Sequence, residues 1–148
     1  MKRSRGTPIG LQLASTSKAV SRAFNDRLTE AGGSVPTWLI LSSLKGDAWR
    51  TQLELARSVG IEGPTLTRHL DGLEEHGLVR RVRDAADRRA VKVELTAEGE
   101  QLFSQLRQAV IAFNRDLTTG LSEAELEHTQ ETLSRLEANV KRTASSLD

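Results

Sequence analysis

The chain has 148 residues, a length that predicts one domain with a modest core. Aromatic residues make up only 3%, which favours a helical, aliphatic core, and the lack of cysteine excludes a disulfide scaffold, a thiol redox sensor and a cysteine-ligated zinc site. The formal net charge is only +1, so any surface that binds a polyanion must be local.

The first predicted element is a helix that follows a basic tail. Residues 1–7 are expected to be flexible, and no continuous apolar stretch follows them, so we predict neither a signal peptide nor a membrane span. We therefore expect a cytoplasmic protein with no membrane partner. Over residues 8–31, apolar side chains that include Leu13 recur near helical spacing, and "AGGS" ends this helix. Ser34 then caps a second helix with Trp38 on its apolar face.

The middle of the chain contains the signals of a helix-turn-helix. Residues 51–54, "TQLE", match a capping box that opens a short helix ending at Gly60. The next helix starts near Pro64 and ends at Gly77. Because about four residues that include glycine join the two helices, the spacing predicts a helix-turn-helix.

A hairpin is predicted directly after the helix-turn-helix. Its arms are "LVRRVRD" and "AVKVELT", and "AADRR" lies between them. In the second arm, Val91, Val93 and Leu95 alternate with Lys92 and Glu94, which is typical of a strand with one face buried. A hairpin in this position is a wing, so we predict a winged helix-turn-helix.

Two long helices complete a fold that is mainly α with a small β-wing. The first covers about residues 97–118, and a second capping box at residues 122–125 opens the last helix. The apolar stripe of the last helix repeats every seven residues, with one additional leucine: Leu126, Leu133, Leu136, Val140 and Leu147. This stripe could pack within one chain or form a dimer interface. A helix of this length extends well beyond a winged lobe, which favours the dimer.

Charge is distributed unevenly along the chain. Residues 76–92 contain six basic and two acidic side chains, whereas residues 121–148 contain six acidic and three basic ones. The near-neutral total therefore hides a basic hairpin and an acidic last helix. This asymmetry favours a protein that places one end against a polyanion.

Double-stranded DNA is the polyanion that a winged helix-turn-helix fits, because its second helix can enter the major groove. The candidate residues of this recognition helix are Pro64, Thr65, Thr67, Arg68 and His69. Arg68 can form a paired hydrogen bond to guanine, and the threonines can contact bases or phosphates. The candidate DNA-binding residues of the wing are Arg83, Asp87, Arg88 and Arg89. An arginine at the wing tip can enter the minor groove, with Asp87 holding one guanidinium in place. Because neighbours on a strand point to opposite faces, Arg80, Arg81 and Arg83 cannot all face DNA, and we expect at least one to pair with a carboxylate or pack on the body.

The sequence contains no pattern that predicts catalysis. There is no nucleophile–base arrangement, phosphate-binding loop or catalytic carboxylate pair, so we predict no enzymatic activity and no cofactor. His69 and His76 lie two helical turns apart, about 10 Å along the axis, which is too far for one metal ion to join them directly. We therefore predict no metal site.

The segment "GIEGPTLTRHLDGLEEHGLVRRVRDAADRRAVKVELTAEGE" resembles the DNA-binding lobe of the MarR (multiple antibiotic resistance regulator) transcription factors. The distinctive parts are "LTRHLDGLEEHGLV", the "DRR" of the wing and "LTAEGE". The pattern is most similar to the SlyA-like branch, and the resemblance extends over about residues 8–145. It implies a single MarR-like domain over residues 1–148, with a winged lobe at about 35–96 and dimerisation helices at about 8–31 and 97–147.

The resemblance also implies partners and residue roles. Such proteins are homodimers whose first and last helices interlock, here through Leu13 and the apolar stripe of the last helix, and whose two lobes bind a pseudo-palindromic operator. Many bind a small aromatic or phenolic anion that weakens DNA binding. Arg68 falls at a base-contacting position, and Arg89 at the minor-groove position with Asp87 as its orienting partner. Trp38, Leu41 and Ser42 fall at the candidate ligand pocket. At the position of Ser42, some members carry a polar or basic side chain that contacts the ligand, and the serine side chain here is smaller.

Other functions fit parts of the same pattern. A winged helix can bind protein instead of DNA, and this would give no salt-dependent DNA affinity. A repressor of the same fold could respond to a metal ion. An architectural DNA-coating protein would bind cooperatively with little sequence preference.

Overall fold

The computed structural model of the protein describes residues 6–47, 50–87 and 90–144. Most of the predicted basic tail, residues 1–5, and the last stripe residue, Leu147, lie outside these ranges. Helices and strands follow in chain order as α1 (Ile9–Glu30), α2 (Val35–Gly46), β1 (Arg50–Thr51), α3 (Gln52–Val59), α4 (Gly63–Glu75), β2 (Val79–Arg83), β3 (Val91–Leu95), α5 (Ala97–Leu117) and α6 (Glu123–Ala144). This architecture confirms the prediction of a mainly helical winged helix-turn-helix with a small β-wing.

Local capping signals set the helix boundaries. The Ser34 hydroxyl accepts a hydrogen bond from the Thr37 backbone N–H at 3.2 Å, which caps α2 as predicted. At the start of α3, the Thr51 side chain and the Glu54 carboxylate each bind the other's backbone N–H, so the predicted capping box is confirmed. Gly60 then ends α3 in the left-handed conformation, with φ 68°, and this allows the sharp turn into α4.

The sheet has three strands in the order β1–β3–β2, and all pairs are antiparallel. The predicted hairpin is confirmed, with Val79 opposite Leu95 and Arg83 opposite Val91. The third strand, β1, was not predicted from the sequence. It is only two residues long, too short for an alternating pattern, and Arg50 pairs with Val93 through the backbone on the outer side of β3.

The core lies between the helices and the inner face of the sheet. Its buried members are aliphatic: Leu28, Ile40, Leu41, Leu44, Leu55, Leu66, Leu70, Leu73, Val79, Val93 and Leu106. Each fully buried leucine stabilises the fold by roughly 1.5–3 kcal/mol relative to its exposed state. The predicted aliphatic core is therefore confirmed, and α4 contributes its inner face while leaving the opposite face exposed.

The wing connects to α5 through a tight polar joint. The Thr96 hydroxyl donates to the Gly77 carbonyl oxygen at 2.6 Å and accepts from the Gly99 backbone N–H at 3.1 Å. The Thr96 backbone N–H donates to the Leu78 carbonyl oxygen at 3.2 Å. Thr96 thus caps α5 and ties its first turn to the turn that follows α4.

The described chain divides into two compact units, the first ending at Phe113 and the second beginning at Asn114. The second unit contains the end of α5 and the whole of α6. Its turn holds the predicted second capping box, in which Ser122 and Glu125 exchange hydrogen bonds. Hydrogen bonds to the Glu125 carboxylate, first from the Ser122 backbone N–H and then from the Ser122 hydroxyl, lower the pKa of the Glu125 carboxyl. The prediction of a single domain over the whole chain stays a prediction.

Within residues 6–47, 50–87 and 90–144, no helix is both long enough and apolar enough to cross a membrane.

Candidate nucleic-acid interface

The recognition helix α4 is amphipathic, and its outer face is available to a ligand. Leu66 and Leu70 are buried, whereas Pro64, Thr65 and Arg68 are exposed. Proline in the first turn starts the helix without losing a hydrogen bond, because the first N–H groups of a helix have no partner within it. The exposed face near the start of α4 can therefore reach a base edge.

Thr67 is exposed, but its hydroxyl is already engaged within the chain. It donates to the Gly63 carbonyl oxygen at 3.0 Å and accepts from the Gln52 side-chain amide at 3.2 Å. These bonds link the first turn of α3 to the first turns of α4. The Thr67 hydroxyl has no hydrogen left to donate to a base, so its methyl group is the part that suits contact with DNA.

The arginines of β2 point in different directions, as predicted from strand geometry. Arg80 lies on the outer face and binds the Glu94 carboxylate on β3, with Nε to Oε1 at 2.7 Å. Arg81 turns toward α4 and pairs with Asp71 at 2.7 Å. Arg83 ends the strand with an exposed side chain. Arg83 is therefore the arginine of β2 best placed to contact a ligand beside the wing.

A tight polar turn organises the wing tip. The Asp84 carboxylate accepts from the Ala86 backbone N–H at 3.0 Å and pairs with Lys92 at 3.1 Å, and these interactions, first the backbone one, lower the pKa of Asp84. Asp87 is exposed, and its carbonyl oxygen accepts from the Ala90 backbone N–H at 3.0 Å. Arg88 and Arg89, both predicted to bind DNA, lie outside the described residues. The proposed pairing of Asp87 with one of them therefore stays a prediction.

A cavity of about 370 Å³ lies behind α4, against the turn between α1 and α2. Its walls include Arg68, His69 and Thr37, together with His76 directly after the end of α4. His69, a candidate DNA-binding residue, is half-buried and lines this cavity. The residues before it on α4, including Thr65 and Arg68, are exposed. The His76 Nδ1 donates to the Gly72 carbonyl oxygen at 2.7 Å. One side of α4 thus presents polar groups to a cavity that can hold a small ligand, while its outer face is exposed and can contact a macromolecule.

The predicted ligand-pocket residues lie elsewhere, on α2. Trp38 is half-buried and stacks on Phe103, with ring centroids 5.6 Å apart and planes 7° apart. Leu41 is completely buried in the core. The Ser42 hydroxyl oxygen is buried, and it has no hydrogen-bond partner among the described residues. None of these three lines the cavity behind α4, and their role in ligand binding stays a prediction.

The predicted dimerisation residues retain much exposed apolar surface. Leu13 on α1 is 39% exposed, and on α6 Leu133 and Val140 are 44% and 70% exposed. Leu126 and Leu136 are half-buried, and α6 contains no buried residue. Their part in a dimer stays a prediction.

His69 lies on α4 and His76 directly follows the helix. Among the described residues, no three histidine, aspartate or glutamate side chains are grouped closely enough to hold a metal ion.

An exposed helix at the second position of a helix-turn-helix, followed by a wing, defines a winged-helix protein of the type that binds nucleic acid. The sequence profile of the MarR family matches residues 34–91, from the α2 cap to the start of β3. The structure of the transcriptional regulator PA3341 is 38% identical, covers 91% of this chain and 99% of its own, and superposes with a TM-score of 0.73. The protein belongs to the MarR family and has the fold of its transcriptional regulators.

Two further solved structures show how widely this fold is shared. A mutant MarR from E. coli in complex with operator DNA is 27% identical over 87% of this chain and 93% of its own, with a TM-score of 0.77. The PcaV transcriptional regulator from Streptomyces coelicolor is 22% identical over 91% and 98% of the two chains, with a TM-score of 0.80. The latter similarity concerns the fold alone.

Proposed function

We propose that the protein is a sequence-specific transcriptional regulator that binds double-stranded DNA as a homodimer, without enzymatic activity. The observation that carries this proposal is the exposed face of α4, with Arg68 and Thr65, beside a wing whose first strand, β2, ends at the exposed Arg83. The MarR mutant with the same fold was solved with operator DNA, which supports the same partner here. On its sequence pattern, we assign the chain to the SlyA-like branch, and such a regulator works in the cytoplasm with its DNA.

In this proposal, α4 and the wing have different tasks. Arg68 binds a guanine edge in the major groove, where a planar guanidinium can form two hydrogen bonds at once. The methyl groups of Thr65 and Thr67 contact thymine or the backbone. Arg83, Arg88 and Arg89 of the wing lie along the phosphates and the minor groove, which supplies affinity and register. Asp87 orients one of these arginines.

The homodimer is proposed because α6 has an apolar stripe that needs a partner. Leu133 and Val140 are exposed on a helix of 22 residues with no buried side chain. Isolated exposed apolar residues are common, but a stripe repeated over several turns is typical of a helix interface. Two lobes joined in this way bind two half-sites of a pseudo-palindromic operator.

A small aromatic or phenolic anion is the proposed effector, and the cavity behind α4 is a suitable site. Its volume of about 370 Å³ is within the range of small-molecule pockets. Arg68 and His69 supply groups that can bind a carboxylate or phenolate. A ligand that holds Arg68 there competes with its base contact, so ligand and DNA each weaken the other. The crevice predicted at Trp38, Leu41 and Ser42 is the alternative site.

The proposal is tested by selecting duplexes from a random DNA pool with the purified protein. The selected duplex and a scrambled duplex of equal length are then titrated across a salt series. We expect a pseudo-palindromic selected sequence, tighter binding to it and a steep dependence on salt. Equal, weak binding to both duplexes would overturn DNA regulation and favour a winged helix that binds protein.

Arg68→Ala tests base reading by α4. We expect the ratio of affinities for the selected and scrambled duplexes to fall about tenfold, because one paired base contact is lost. Affinity for the scrambled duplex should change little. Fluorescence anisotropy with both duplexes measures this, and Arg107→Ala, at an exposed position on α5, is the control for the lost charge. An equal loss for both duplexes would make Arg68 a phosphate contact.

Arg89→Ala tests the wing. Affinity for the selected duplex should fall about tenfold, and the salt slope should decrease by about one, because a cation leaves the DNA backbone and minor groove. Folding and dimerisation should be unchanged, which circular dichroism and sedimentation check. Unchanged affinity in a salt-matched titration would show that Arg89 of the wing does not contribute to the DNA interface. Arg107→Ala is again the control for the lost charge.

A further inference from the structure

Arg81, on wing strand β2, binds the recognition helix at three successive turns. Its guanidinium contacts Asp71 at 2.7 Å and Glu74 at 3.5 Å through Nη1, and Nη2 donates to the Thr67 carbonyl oxygen at 3.2 Å. Its backbone N–H donates to Glu74 Oε2 at 2.9 Å. One residue of the wing is therefore fastened along one side of α4 by charged and backbone hydrogen bonds.

The environment of Arg81 distinguishes it from the neighbouring arginine. The Arg81 side chain is only 20% exposed, whereas the Arg80 side chain is 66% exposed and pairs with Glu94 inside the hairpin. Charge-assisted bonds that are partly shielded from water are stronger than those on an open surface. A planar guanidinium can hold several acceptors in fixed directions, which a lysine ammonium does with less definition.

Thr67 is the point where three elements meet. Its hydroxyl accepts from Gln52 on α3, and its carbonyl oxygen accepts from Arg81 on β2. Thr67 itself lies on α4 between the exposed residues Thr65 and Arg68. The orientation of the exposed face is thus connected both to the first helix of the helix-turn-helix and to the wing.

We propose that Arg81 is a positioning residue that fixes the recognition helix relative to the wing, so that base contacts and wing contacts are made in one register. The proposal rests on the DNA-binding function proposed above. Arg81 itself need not touch DNA. Without the Arg81 side chain, α4 and the wing each keep the side chains that contact DNA, but the helix and the wing can shift relative to each other. Sequence selectivity then falls more than general affinity for DNA.

The test compares Arg81→Gln with Arg80→Gln, which removes the same charge from the adjacent position of the same strand. Each variant is titrated with the duplex selected by the wild-type protein and with its scrambled counterpart. In Arg81→Gln, we expect the affinity ratio to fall about tenfold, the equivalent of one well-placed base contact. In Arg80→Gln, both affinities should fall together and the ratio should stay constant.

Arg81→Lys separates geometry from charge. It should restore affinity for the scrambled duplex but not the ratio, because the ammonium replaces the charge without the planar set of donors. Asp71→Asn, at an exposed partner, weakens the same link from α4 and serves if Arg81→Gln does not fold, as judged by thermal unfolding. Its effect on the ratio should be smaller than that of Arg81→Gln, and the double variant should show less than the sum.

An unchanged ratio in folded Arg81→Gln, or full recovery of the ratio in Arg81→Lys, would overturn the proposal. Failure of the wild-type protein to select any duplex would instead overturn the DNA-binding function. The two failures are therefore distinguishable within one set of titrations.

Discussion

Gly99→Ala is expected to lower the free energy of unfolding by about 3 kcal/mol or more, at the upper end of what overpacking costs. A Cβ atom at this position would lie 2.0 Å from the Leu78 carbonyl oxygen and 3.0 Å from its carbon. These are backbone atoms in the joint that Thr96 ties to Gly77, so they cannot rotate away as a side chain could. Either the start of α5 or the turn after α4 must move.

The measurement is chemical unfolding at one fixed protomer concentration, because association would make the stability depend on concentration. A melting temperature lower by roughly 10 °C would correspond to the same loss. Gly72→Ala is the matched control. A Cβ there meets nothing within 4 Å, and the residue lies inside α4, so we expect a gain of about 0.5–1 kcal/mol. Equal, small effects at both positions would contradict the close packing at Gly99.

Signals within a few residues of each other made most helices predictable. The Thr51–Glu54 box, the Ser34 cap and the glycine at position 60 each act through neighbouring backbone groups, so the sequence contains the whole interaction. The alternation of Val91, Val93 and Leu95 likewise predicted β3 because one face of a strand is buried. These interactions are local, and local patterns can be recognised without knowing the fold.

Contacts between distant residues could not be predicted in the same way. Strand β1 exists because two residues meet the free edge of β3, and its own sequence is too short to indicate this. The reason for glycine at position 99 is the Leu78 backbone, 21 residues earlier in the chain. In both cases, the local sequence does not indicate which distant residue is the contact partner or how close the two residues lie.

The candidate site shows the same division. The helical spacing of Leu66 and Leu70, both buried, indicates the inner face of α4 and thereby places Arg68 on the outer face. The sequence predicted that one arginine of β2 would turn toward the body, but not that it would be Arg81. The signal that could have found it is parity with buried Val79, two residues earlier, together with the acidic side chains of α4.

The cavity was missed because it depends on the turn between α1 and α2 approaching α4. The same turn also lies close to α5, because a Cβ at Gly33 would lie 2.7 Å from a Leu106 methyl carbon. The ligand pocket at Trp38 was predicted from the place of this residue in the family pattern. That pattern does not indicate that Trp38 stacks on Phe103. Side-chain pairing across helices is decided by packing, which the pattern does not specify.

Leu133→Glu is expected to convert the proposed dimer into a monomer and to lower affinity for the selected duplex about 100-fold. Leu133 lies near the middle of the apolar stripe on α6 and is 44% exposed. In a symmetric interface the same residue is changed in both chains, so a glutamate there places two charges in one apolar contact. Monomers can bind only one half-site at a time, and the gain from simultaneous binding of both is lost. Sedimentation measures the mass, and anisotropy measures the affinity.

Ala138→Glu is the matched control, because it adds the same charge to α6 on the face opposite the stripe, where the side chain is exposed. It should leave both mass and affinity close to those of the wild-type protein. A Leu133→Glu variant that remains dimeric would show that the apolar stripe of α6 does not form the dimer interface. A monomeric variant that keeps full affinity for the selected duplex would show that one lobe is sufficient, and the two-half-site arrangement would then be wrong even though the dimer exists.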